Sequence, residues 1–571
     1  MKTKTIYPAS LIADFYKVAH RMQYPDGTEF VYSNWTPRST YMKGAKGVIA
    51  FGLQAFTKKY LIEYFNTHFF SRTKEEVVAE YVHYIKHTLF VEEVDATHIA
   101  DLHELGYLPL HIKAVKEGTF VPLKVPMATV VNTNAKFFWV TNYIETIFSS
   151  ENWLPSTSAT IAHEYKKLMT KYAKETGGDL GDIQFQGHDF SMRGMVLEAA
   201  ILSGAGHLTS FYGTDTIPAI PFLEEYYNAD VTKGIVGTSV NATEHSVMCA
   251  GGQENEYDTY ERLITKVHPT GILSIVSDTW DLWNVLTVTL AKLKGSIITR
   301  DGKVVVRPDS GNPVEILCGK KFEVIDSPDE AYDAFRDIIH DTASEVTGEH
   351  QTGLESYTIR YKAGDKYYKA KFSVDYNRYD KRYYYVDGIK LVSNVEYTPE
   401  PSDLGVIEIL WNIFGGTINE KGYKVLDPHI GAIYGDSITL ERAEAICKGL
   451  KEKGFCSTNV VFGIGSFTYQ YQTRDTFGFA MKATHVVING EERNIQKDPA
   501  TDTNKGKKSA TGRLIVYRDA ETGEITLADG LTIDQQELYS EVDILEDVFI
   551  DGKLVRDETL EEIRERIQSL I

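Results

Sequence analysis

The chain has 571 residues, 43% hydrophobic and 25% charged, with a formal net charge of -20. That length calls for two or three structural units, and that charge argues against a nucleic-acid or anionic-membrane partner. Four cysteines (Cys249, Cys318, Cys447, Cys456) form no CxxC pair or zinc spacing, and no stretch approaches the roughly 18 apolar residues of a bilayer span, so a cytoplasmic protein with reduced thiols is expected.

In chain order, 56–70 and 74–89 carry helical spacing of apolar residues. His111-Ile112-Lys113-Ala114-Val115 alternates like a half-exposed strand, and Ala128-Thr129-Val130-Val131 follows as another. A helix is predicted over 137–149 from the stripe Trp139, Tyr143, Ile144 and Ile147. From about residue 159, long helical patterns alternate with short apolar runs, the pattern of repeated βα units. Five runs end at a carboxylate or a glycine: 210–215, 274–278, 304–311, 432–436 and 460–465. Runs apolar on both faces suit buried parallel strands. Closed into a barrel, such strands bring their carboxyl ends to one mouth, where chemistry is built.

The stretch from Asp309 to Asp436 is too long for a simple βα step. Within it, 357–397 is dense in tyrosine alternating with lysine and arginine, with turn signals at Ala363-Gly364-Asp365 and Asp387-Gly388. It is expected to be an inserted antiparallel meander, its tyrosines packed rather than bound to nucleic acid. Strands are predicted again at 485–488 and 513–517, on either side of a polar loop over 497–512, and an amphipathic helix closes the chain on Leu560, Ile563, Ile567 and Ile571. The predicted organisation is an α/β barrel in two parts, 159–317 and 404–475, interrupted by the insertion 318–403. A mixed α+β domain is assembled from 1–158 and 476–571.

In Arg307-Pro308-Asp309-Ser310-Gly311 the proline ends the strand and sets Asp309 at the rim. Asp309 can accept from ribose hydroxyls or bind magnesium, with Asp278 as a second carboxylate for the same ion. Strand-end aspartates also cap helices, but three at one mouth suggest a magnesium-bound, hydroxyl-rich phosphate ester. Gly463-Ile464-Gly465-Ser466 lets backbone N–H groups converge on a phosphate. Within Gly187 to Gly194, Phe190 could stack on a flat ring and Arg193 could hold phosphate. His245 adjoins Glu244, and on spacing alone such a histidine is more often a satisfied core or cap residue than a reactive one. Arg38, Lys482, Lys497 and Lys505 read as solvated cations unless a second subunit carries them over the mouth.

These segments, with Asp14-Phe15-Tyr16-Lys17, Thr141-Asn142-Tyr143-Ile144-Glu145-Thr146-Ile147, Lys497-Asp498-Pro499 and Gly512-Arg513-Leu514, resemble the nicotinamide-using type II phosphoribosyltransferase family over nearly the whole chain outside 318–403. The resemblance implies an incomplete α/β barrel and a homodimer with shared active sites. It implies transfer of phosphoribose from its 1-diphosphate to nicotinamide, with magnesium and an activating ATP. Tyr16 and Phe190 would sandwich the pyridine ring, with Asp215, Ser274 and Arg307 beside it. Asp309, Gly435 and Asp436 would meet ribose. Gly465, Ser466, Arg474 and Lys482 would hold the 5′-phosphate, and Arg38, Arg193, Lys482, Lys497 and Lys505 the diphosphate or ATP. His245 would take a phosphoryl group, while Asp278 and Asp309 would hold the metal. The family's glycine run is interrupted here by Ile464, Ser466 and Phe467. An ionised Asp215 accepting from a carboxamide is worth roughly 1.5–3 kcal/mol. A carboxylate base in that place would cost roughly 4 kcal/mol at about 4 Å and effective ε near 20. A nicotinate-using enzyme, or a non-catalytic dimer binding through the insertion, are the competing readings.

Overall fold

The computed structural model describes residues 7–345, 355–378, 384–435, 437–497 and 510–571. Seven parallel strands form one curled sheet: β1 (Gly187–Phe190), β2 (Gly213–Thr214), β3 (Asn241–Ala242), β4 (Thr270–Val276), β5 (Asp301–Arg307), β6 (Ile430–Tyr434) and β7 (Val460–Gly465). Their order across the sheet, β2-β1-β7-β6-β5-β4-β3, is the cyclic order of a barrel. Val304, Val306, Ile275, Ala432 and Phe462 are buried in a core shared with the flanking helices, while the alternate residues Val305, Ile433 and Val461 face the barrel interior, so the strands read as apolar runs. The barrel closes at a seam rather than through a regular strand. Thr214 N–H donates to Thr238 O (2.9 Å) and Thr238 N–H to Tyr212 O (2.7 Å), so 238–242 bridges the two sheet edges.

A second, antiparallel sheet of seven strands draws on both chain ends. Thr28–Thr36 pairs with Ala480–Ile488 on one side and Ala128–Asn132 on the other, and Leu110–Ala114 pairs with Glu546–Ile550. Trp35 stacks on Phe479 at 5.2 Å in its core. The C-terminal helix Leu560–Gln568 then packs Leu560, Ile563 and Ile567 against Phe51 from this domain and against Leu208 and Tyr227 from the barrel.

The insertion is a module with its own core. Strands Glu355–Ala363, Lys366–Arg378 and Tyr384–Glu396 form an antiparallel meander joined by a parallel edge strand Glu323–Ile325. Helix Ala331–Glu345 covers one face through Phe335 and Ile339.

Several elements differ from the sequence expectations. The helix expected over 137–149 is two pieces, Phe138–Tyr143 and Glu145–Thr176, and the second runs straight through residue 158. Pro155 lies inside it, flanked by buried Ser156, Thr157 and Ser158, small side chains that permit close packing. The run 210–215 supplies only a two-residue strand, because Ser210 and Phe211 donate back to His207 O and finish a helix. Asp387-Gly388 is not a turn; it lies in strand Tyr384–Glu396 at a β-bulge opposite Asp375 and Tyr376. Most of the polar loop 497–512 lies outside the described residues.

Candidate active site

The inward side chains of the barrel strands line a cavity of about 720 Å³ that extends from Ile272 and Lys303 to His188, Phe190, Asp215, Ser274, Val305 and Arg307 toward the carboxyl ends. His188 and Phe190 stand two apart in β1 and so face the same side. Their ring centroids are 4.5 Å apart. Asp215 follows β2 directly, its N–H held by Asp189 O at 2.9 Å. Its Oδ1 lies 2.9 Å from His188 Nε2 and accepts from Ser239 Oγ at 2.6 Å. Burial pushes its carboxyl up, but the bonds from His188 and Ser239, with the charge of Arg307, hold it below the usual carboxylate range. Ser274 Oγ is buried in the cavity wall without a hydrogen-bond partner. Arg307 is fixed by donation from Nη2 to Thr243 O at 2.6 Å, while its Nε is buried and unpartnered.

Beside this cavity stands a second group. Asp278 Oδ2 accepts from Asp309 N–H (2.9 Å) and Ser310 Oγ (2.6 Å), which lashes the end of β4 to the loop after β5. Asp278 Oδ1 is buried and unpartnered. His245 Nε2 faces it at 3.9 Å and Asp309 Oδ2 at 3.8 Å, while Nδ1 lies 3.1 Å from Thr279 Oγ1. Gly435 lies over Asp309: a Cβ there would sit 2.3 Å from Asp309 Oδ1 and push the carboxylate aside. An orphaned carboxylate oxygen next to a second carboxylate suits magnesium, which takes one or two protein carboxylates and fills its shell with water and substrate phosphate. Among the described residues no cluster of three ligands exists that would hold a metal alone.

Gly465 ends β7 in register with Phe190, and Ser466 begins the next helix. Ser466 packs on Gly194, placing the turn after β7 against the exposed Arg193. The other expected cations form a separate patch on the antiparallel domain. Lys482 pairs with Glu145 at 3.5 Å, Arg38 Nε donates to Gly478 O at 3.0 Å, and Arg474 lies near both Arg38 and the exposed Tyr16. Among the described residues, Tyr16, Arg38, Arg474 and Lys482 share no hydrogen bond or ion pair with Asp215, Arg307, Asp309 or His245. Lys497 is exposed, and Asp436 and Lys505 lie outside the described residues. His188, Ser239, Thr243 and Thr279 were not singled out in the sequence. The same-face spacing of His188 and Phe190 was a usable signal, whereas the others come to the site through the seam and loops.

A curled parallel sheet with carboxylates and cations at its mouth defines the type II phosphoribosyltransferase fold. Nicotinate-nucleotide pyrophosphorylase from Pyrococcus furiosus superposes with a TM-score of 0.50 at 14% identity, covering 100% of this chain and 98% of its own. Residues 185–549 match the nicotinate phosphoribosyltransferase family and residues 9–112 the nicotinamide phosphoribosyltransferase N-terminal domain. A nicotinamide phosphoribosyltransferase of Acinetobacter baylyi is 46% identical over 567 residues, covering 97% of this chain and 96% of its own. One from Mycoplasma pneumoniae is 31% identical over 528 residues, covering 88% and 94%. The chain belongs to the nicotinate phosphoribosyltransferase family. Among the described residues no helix is long and apolar enough to cross a membrane.

Proposed function

We propose that the chain is a nicotinamide phosphoribosyltransferase, joining nicotinamide to 5-phosphoribosyl 1-diphosphate to give nicotinamide mononucleotide and diphosphate. The observation that carries the choice of base is Asp215, a carboxylate held ionised in the cavity beside Phe190 and the unpartnered Ser274 hydroxyl. The ring stacks on Phe190. The carboxamide N–H donates to Asp215, and Ser274 donates to its carbonyl oxygen. A carboxylate in that place would face Asp215 across a short distance.

The pyridine nitrogen attacks ribose C1 as the C1–diphosphate bond breaks through an oxocarbenium-like state. Asp309, beside Gly435, receives ribose hydroxyls, and Asp436 belongs to the same proposed set. Gly465 and Ser466 hold the 5′-phosphate near Arg193. Asp278 and Asp309 would hold magnesium, which when bound neutralises charge on the departing diphosphate. Fixed carboxylates tolerate the positive sugar without reorganising. His245, facing both carboxylates, is the group proposed to accept a phosphoryl group from ATP and couple its hydrolysis to synthesis.

The separation of Tyr16, Arg38, Arg474 and Lys482 from the mouth supports a homodimer in which a second subunit brings them, with Lys497 and Lys505, over the diphosphate. Four unpaired cysteines among the described residues suit a reducing, cytoplasmic setting. The test is direct: purified protein, magnesium and phosphoribosyl diphosphate are supplied with nicotinamide or nicotinate, and the mononucleotide is quantified chromatographically. Product from nicotinamide far in excess of that from nicotinate is expected. Preference for nicotinate would overturn the base assignment, and no product from either would overturn the enzyme reading.

A further inference from the structure

Asp215 receives both of its hydrogen bonds on one oxygen. His188 Nε2 approaches Oδ1 from β1 at 2.9 Å, and Ser239 Oγ approaches it from the seam segment at 2.6 Å. No described residue hydrogen-bonds Oδ2. A carboxylate's terminal torsion is broad and roughly two-fold, so an untethered Asp215 would present either oxygen over a wide arc. Two donors on one oxygen, from opposite sides of the seam, remove that freedom.

His188 is itself held. Its ring lies against Phe190, its side chain is 10% exposed, and Gly213 passes so close beneath that a Cβ there would sit 2.7 Å from Nδ1. The glycine before Thr214 is thus what lets the imidazole lie flat enough to reach Asp215.

We propose that His188 and Ser239 are positioning residues that clamp one oxygen of Asp215, leaving the other as the single acceptor for the base's exocyclic group. This deepens the reading of the site as nicotinamide-binding and rests on it. The consequence concerns discrimination rather than binding alone. With Oδ1 clamped, the free oxygen meets an amide N–H at hydrogen-bond distance and cannot swing away from a carboxylate base. A freed Asp215 rotates, gives the amide a poorer acceptor, and relieves the repulsion that rejects the acid. Discrimination against nicotinate is therefore a property of three residues, only one of which touches the base.

The test compares wild type, His188→Ala, His188→Gln and Ser239→Ala in steady-state assays with nicotinamide and with nicotinate, at saturating phosphoribosyl diphosphate. His188→Ala is expected to raise KM for nicotinamide roughly tenfold and to lower the amide-to-acid ratio of kcat/KM by about the same factor. Its kcat and its KM for phosphoribosyl diphosphate should stay within about twofold of wild type. His188→Gln, which keeps a donor of similar reach, restores the ratio. Ser239→Ala moves the ratio in the same direction and carries the test if His188→Ala does not fold. An unchanged ratio in folded His188→Ala and Ser239→Ala would overturn the clamp. So would a loss confined to kcat, or failure of His188→Gln to restore the ratio. A wild-type enzyme that prefers nicotinate would instead refute the base assignment, separating the two ideas.

Discussion

Asp278 divides its carboxylate between two tasks: Oδ2 ties down the backbone of Asp309 and the hydroxyl of Ser310, while Oδ1 is buried, unpartnered and turned toward His245. A buried carboxylate oxygen with no partner costs stability, and a cation arriving with the substrate would recover it. Asp278→Asn keeps a side-chain oxygen for the loop donors and removes the charge. It is expected to lower kcat/KM at least tenfold (about 1.4 kcal/mol) and to raise the magnesium concentration for half-maximal rate, read from a magnesium titration. His245 lies outside the base cavity, so His245→Ala is expected to abolish stimulation by ATP while ATP-free synthesis persists. Product formed with and without ATP measures this, and retained stimulation would remove His245 from that role.

At the scale of elements, the sequence was most legible where local pattern and burial agree. The apolar runs at 304–306, 432–434 and 460–465 are strands with apolar residues on both faces, the outer face packed on helices and the inner one toward the cavity. Gly187–Phe190 and Asn241–Ala242 escaped notice because they are short and polar, strands made by neighbours rather than by propensity. Tyr16 and Arg474 could be read as motifs, but His188 and Ser239 join Asp215 across 27 and 24 residues, a juxtaposition only the closed barrel creates. The insertion was legible as a meander, apart from its bulge and its helix. Its stem is narrow: Lys320 N–H donates to Asp403 O at 2.9 Å, so the chain leaves and re-enters the barrel at one point. Asp403, buried there, pairs with Lys320 at 2.9 Å. The module's core, built on Phe335, Tyr361 and Phe372, is separate from the barrel's. Replacing 321–402 by a short turn is therefore expected to leave a folded protein with kcat within about threefold of wild type, since the module's core is its own and its two ends already meet. Circular dichroism and the mononucleotide assay check it, and loss of folding would show that the module supports the barrel.

The two halves of the molecule are locked by a buried polar cluster under the C-terminal helix. Glu117 accepts from Gly52 N–H (3.0 Å), Gln54 N–H (2.7 Å) and the hydroxyl of Tyr227 on the barrel (2.9 Å). Its own N–H donates to Glu558 Oε2 at 3.1 Å. Glu558 is bridged by Arg566 at 2.8 Å and Arg556 at 3.3 Å, and Arg566 also donates to Glu117 O. Burial first, and the neighbouring Glu558 second, push the Glu117 carboxyl up to about 7, against the pull of the three donors. A carboxyl raised in the folded state binds its proton more tightly there than in the unfolded chain. Its contribution is fully present below the unfolded value of 4.5 and is lost as pH rises through about 7. At about 1.4 kcal/mol per unit, the loss across that window is about 3 kcal/mol. It falls on the docking of helix Leu560–Gln568, whose N-cap Thr559 directly follows Glu558. Hydrogen exchange across that helix, corrected for the intrinsic pH dependence of exchange, is expected to lose protection between about pH 4.5 and about pH 7 in wild type. Glu117→Gln, neutral throughout, should give a flat profile over the same range. Equal slopes in the two proteins would mean that Glu117 is ionised throughout and that the latch is insensitive to pH.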